Sequence, residues 1–124
     1  MQQHTFVILS AAGSHRDLSK ETRAQPFWDE HAAFIDRLVD DGFILLGGPL
    51  VEEGGALLVV KARDADDVRA RMKHDPWYEH GILKLESVKR WEIFIDERQE
   101  GAGARGGGRD RNSQEIPRVL AKKG

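Results

Sequence analysis

Gly42-Phe43-Ile44-Leu45-Leu46-Gly47-Gly48-Pro49-Leu50-Val51-Glu52-Glu53-Gly54-Gly55-Ala56-Leu57-Leu58-Val59-Val60-Lys61 decides the fold. Two short apolar runs, Phe43–Leu46 and Ala56–Lys61, flank Glu52-Glu53-Gly54-Gly55, a turn by composition, so the segment reads as a β-hairpin. Neither run alternates polar with apolar residues as a half-exposed strand does. Both faces of the pair are therefore expected to be covered.

Working outward towards the N-terminus, Gly42 stops a helix. Phe27, Phe34, Ile35 and Leu38 recur at helical spacing up to Asp41, and Pro26 suits a first helical turn. Residues 11–25 are polar and read as a loop. Before them His4-Thr5-Phe6-Val7-Ile8-Leu9-Ser10 reads as a strand. In the other direction Asp64 is placed to N-cap a second helix, with Asp66 and Asp67 in its first turn. Val68 and Met72 supply its apolar stripe. Pro76 disfavours helical geometry at Asp75, so that helix is expected to end near His74. A last strand spans Ile82 to Ile95, with an interruption around Glu86-Ser87.

The resulting order is β-α-β-β-α-β. It predicts an α+β, ferredoxin-like fold with both helices on one face of a four-stranded antiparallel sheet. Two helices cover only one face. The simplest cover for the other is a second copy of the chain, sheet against sheet, which makes a homodimer the expected assembly.

Composition bounds the rest. The 124 residues fit one domain, expected over residues 1–96, followed by a Gly/Arg-rich tail over 97–124 that reads as flexible low-complexity sequence. Within that tail only Ile116 to Ala121 could form a marginal turn of helix. No apolar run approaches a membrane span, and the first residues lack the pattern of a secretory leader, so no membrane partner is expected. The absence of cysteine rules out disulfides, thiolate nucleophiles and Cys-ligated metals, and fits a cytoplasmic location. Net charge is −2, but residues 97–124 hold seven Lys/Arg against four Asp/Glu, leaving twelve against seventeen in residues 1–96. So acidic a domain carries no electrostatic footprint for nucleic acid.

Among residues able to carry chemistry, His31 stands out. It lies in the middle of the apolar stripe of the first helix, so a titratable imidazole is aimed between helix and sheet. It is either a core histidine satisfied by a local partner or a general acid–base. Asp75 sits at the exit of the second helix, where a carboxylate faces the unfavourable negative end of the helix dipole. It is either a turn aspartate bonding its own backbone or a carboxylate that orients His31. Gly48 and Pro49 interrupt a strand, which marks a bulge or a place where a ligand meets the backbone. Trp77, Tyr78 and Trp91 could line a pocket or fill the core. His74, Asp75, Glu79 and His80 match no familiar metal-ligand spacing, so no metal is expected. There is no phosphate-binding P-loop and no Gly-x-Ser-x-Gly elbow.

Taken together, Trp28-Asp29-Glu30-His31-Ala32-Ala33-Phe34-Ile35, Gly42 to Pro49, Asp75-Pro76-Trp77, Ser87-Val88 and Trp91-Glu92 resemble the YCII-related domain of YciI-like proteins over about residues 4–96. The resemblance implies a dimeric α/β barrel, two ferredoxin-like sheets packed face to face. It also implies that His31 and Asp75 form the active-site pair; the residue reading adds Gly48, Pro49 and Trp77 near a bound substrate. Enzymes sharing that barrel move protons on small cyclic acids or eliminate chloride, which suggests a lyase, isomerase or dehalogenase acting on a small organic molecule without an organic cofactor. The alternative is a dimer that binds a metabolite without turning it over. One departure is that some members have an arginine just before the histidine, where this chain has Trp28 and Asp29; the nearest arginine preceding it is Arg23.

Overall fold

A computed structural model describes residues 2–98. Expectations for the tail beyond Arg98, including a turn of helix at Ile116 to Ala121, lie outside those residues. The described chain runs β1 (His4–Ala12), α1 (Trp28–Asp40), β2 (Ile44–Leu50), β3 (Gly55–Ala62), α2 (Ala65–Met72), α3 (Pro76–Glu79) and β4 (Leu83–Arg90). One short 3-10 turn, Thr22–Ala24, precedes α1. The sheet order is β2-β3-β1-β4 and every pairing is antiparallel. This is the expected ferredoxin-like arrangement.

Each helix end has a local cause. α1 closes on Gly42, whose φ of +83° suits a residue without Cβ. The amide of Gly42 donates to the Val39 carbonyl and that of Phe43 to the Leu38 carbonyl, each at 3.0 Å. That crossed pair is a Schellman motif, and its usual apolar contact is supplied by buried Leu38 and Phe43. α2 begins on Asp64, whose carboxylate accepts the Asp67 amide at 2.8 Å. α1 starts two residues later than Pro26 suggests, because Phe27 adopts left-handed backbone geometry, φ 64°.

The core lies between the helices and the sheet. Phe6 and Ile8 of β1, Val60 and Ala62 of β3, and Ile44 of β2 meet Phe34, Ile35 and Leu38 of α1 and Val68 and Met72 of α2. Alternate residues point the other way. On that open face Leu46 is 51% and Leu57 38% exposed.

One detail of the sequence reading is sharpened and two are corrected. The strand interruption near Glu86 is a bulge: Leu9 pairs with Ser87 and Ser10 with Leu85, so Glu86 is the extra residue. β4 stops at Arg90 rather than Ile95, and only the Trp91 amide reaches further, to the Thr5 carbonyl at 2.9 Å. In the hairpin, the bulge falls at Leu45, between the Ile44–Val60 and Leu46–Val59 pairs, and not at the glycines. Gly47 serves a different need, because a Cβ there would sit 2.3 Å from Leu58 Cδ2. No helix of the described residues is long and apolar enough to cross a membrane.

Candidate functional site

α1 and the α2–α3 junction bring His31 and Asp75 together. His31 shares the buried stripe of α1 with Ala32, Phe34, Ile35 and Leu38, so its ring points inward. Asp75 is wholly buried and extended in backbone, φ −65° and ψ 124°. Pro76 follows at the first position of α3, where its missing N–H costs nothing.

Asp75 meets two groups at once. Its Oδ1 accepts the Trp77 amide at 2.9 Å, capping α3. The same oxygen lies 2.8 Å from His31 Nδ1, and Oδ2 lies 3.0 Å from it. The carboxylate that looked misplaced behind α2 is therefore well placed at the positive end of the next helix. An ionised carboxylate only accepts, so Nδ1 carries the hydrogen, and the ring in its neutral form presents a lone pair at Nε2. Nε2 has no hydrogen-bond partner among the described residues. The imidazole retains 9% of its side-chain surface exposed.

Aromatic rings fix the imidazole in place. The Trp77 ring stacks on it at 3.8 Å with 7° between planes, and Trp28 lies tilted at 5.8 Å. The Trp77 indole N–H donates to the Pro26 carbonyl at 2.7 Å, which ties α3 to the entrance of α1. Phe27, in its unusual conformation, stacks on His80 at 3.8 Å. The Arg23 guanidinium lies 5.9 Å from the Trp28 ring centre. The nearest preceding arginine is thus above an aromatic neighbour of His31, although it comes from the segment before α1.

Tyr78, next along α3, places its hydroxyl 2.5 Å from Ser10 Oγ. Burial raises the Tyr78 pKa from its ordinary value; the Ser10 bond opposes that rise and the charge of Asp75 adds to it. Ser10 was legible, since alternation from Phe6 and Ile8 sends it to the helix side of β1. Trp28 was legible too, three residues before His31 on the same helix.

Trp77 belongs to the pair's surroundings. Gly48 and Pro49 do not join it in this chain. They line a separate depression of about 240 Å3 with Leu46, Leu57 and Val59. His74, Glu79 and His80 form no cluster with Asp75 able to hold a metal, and no group of three or more such side chains occurs among the described residues.

No curated protein and no solved structure matches the chain significantly. A family model does: the YCII-related domain covers residues 6–92, a span that contains the His31–Asp75 pair and every element from α1 to β4. The chain belongs to the family of YciI-like proteins that this domain defines.

Proposed function

We propose that this protein is a small-molecule enzyme of the lyase, isomerase or dehalogenase type, working as a cytoplasmic homodimer. The observation that supports it best is the bond from His31 Nδ1 to both oxygens of Asp75, with Nε2 left unbonded. Asp75 holds the tautomer and stabilises the imidazolium that forms when Nε2 takes a proton. Nε2 then returns that proton to another atom of the substrate, or to a departing group. The uncovered apolar sheet face supports the homodimer, and the cysteine-free sequence fits the cytoplasm.

A second reading has its own support. His31 is 7% exposed as a residue, and neither of the two surface depressions described for this chain includes it. A dimeric protein that holds a metabolite without turning it over would tolerate so enclosed a pair.

One experiment separates the two. The protein is incubated in D2O with a cell extract of small metabolites, and mass spectrometry follows deuterium entering C–H positions. Wild-type protein should label at least one compound, and His31→Asn should label none. Equal labelling by both proteins would refute the acid–base role. Metabolites retained by the protein but never labelled would favour the binding reading.

A further inference from the structure

A groove of about 930 Å3 lies on the helix side between α2 and β4, away from the pair: neither His31 nor Asp75 lines it. Its volume is in the range that encloses small organic ligands. One wall is a stripe of α2 and its C-cap, Asp66, Arg69, Ala70 and Lys73, spaced so that all four share one helix face. Met72 and Leu83, both nearly inaccessible, line it together with Leu85 and Tyr78. Glu79 adds a carboxylate to its margin.

The cations here are unpaired. Asp67, also on α2, takes both Arg63 and Arg71, at 3.5 and 3.4 Å. The side chains of Arg69, Lys73 and Lys84 have no ion-pair or hydrogen-bond partner among the described residues. Arg69 and Lys73 stand four residues apart on a helix, where like charges repel. Lys84 stands opposite Ala11, on the open face of the sheet, so Arg69 and Lys73 are the cations of the helix wall, and Asp66 and Glu79 border the groove without bonding them. An anion with one charge relieves the repulsion. A multiply charged one also meets the two carboxylates. The apolar lining calls for a carbon body.

We propose that this groove binds an organic monoanion, its carboxylate between Arg69 and Lys73 and its apolar body against Met72, Leu83 and Leu85. The site is independent of any chemistry at His31.

The test is an NMR titration of the full chain with 2-naphthoate, its neutral amide 2-naphthamide, and inorganic phosphate. Naphthoate should shift the methyl signals of Met72 and Ala70, and naphthamide and phosphate should each bind about tenfold or more weakly. Arg69→Gln with Lys73→Gln should weaken naphthoate by about tenfold or more, as counter-charge is lost. Ala70→Glu, which adds a carboxylate to the wall, should weaken it similarly. His31→Asn should bind like wild type. Equal binding of acid and amide, shifts confined to another region, or affinity unchanged in both groove variants would overturn the proposal.

Discussion

Neighbouring residues of β1 meet opposite environments. Phe6, Ile8 and Ser10 face the helices and are buried, whereas Thr5, Val7 and Leu9 face the open side with Leu46 and Leu57. On the helix side the polar groups Ser10, His31 and Asp75 all have partners inside one chain. On the open side Leu46 and Leu57 stay exposed, with no element of the described residues packed over them. The difference separates two properties. The geometry of the His31–Asp75 pair is complete in a single chain, while the covering of the sheet asks for something more.

The largest expected effect tests the helix side. Asp75→Ala removes the α3 cap and strands the buried His31 Nδ1 hydrogen together, which should cost about 2–4 kcal/mol in urea unfolding. A loss under about 0.5 kcal/mol, the range of ordinary surface changes, would mean the pair is not integral to the fold.

On the open side, wild-type protein should sediment at about twice the 14.0 kDa chain mass. Leu46→Glu with Leu57→Glu should raise the dimer dissociation constant about a hundredfold or more, since each chain would bring two charges into an apolar seam. The variant should remain folded, because neither leucine belongs to the core against the helices. Wild type that stays monomeric would remove the reason for the comparison.

The smallest effect is alkaline. Tyr78→Phe forfeits one hydrogen bond, about 1 kcal/mol at neutral pH. Burial raises the Tyr78 pKa in the folded protein, so the folded state keeps its proton where the unfolded chain releases it. Stability is therefore fully present below the ordinary value of 10.0 and declines as pH rises through the folded one. In Tyr78→Phe that alkaline decline should be shallower. An identical pH profile in thermal melts would show that Tyr78 does not contribute to it.

Much of the fold was legible because its signals are local. Gly42, Asp64 and the Glu52–Gly55 turn each act within a few residues, and each ends or begins an element where expected. What was not legible depends on partners far along the chain. β4 ends its pairing at Arg90, opposite Phe6 of β1, and nothing between Trp91 and Ile95 announces that. α3 has four residues, too few for a helical period, and its Pro76 reads equally as the end of α2. The candidate pair was half legible. The stripe of α1 aims His31 inward, but a carboxylate 44 residues away becomes its partner only through the packing of α1 against α3.

The central place of β1 also bears on the time course of folding. β1 is first in sequence, yet its neighbours are β3 and β4, with Phe6 opposite both Val60 and Arg90. The β2–β3 hairpin closes over a four-residue loop and is the sheet's one local pairing. Each remaining pairing closes a loop of more than forty residues, and that entropy must be spent before the contacts repay it. The hairpin and α1 are therefore expected to nucleate, with β4 joining last. Since Asp75 lies between α2 and β4, the imidazole gains its carboxylate only late on the folding pathway.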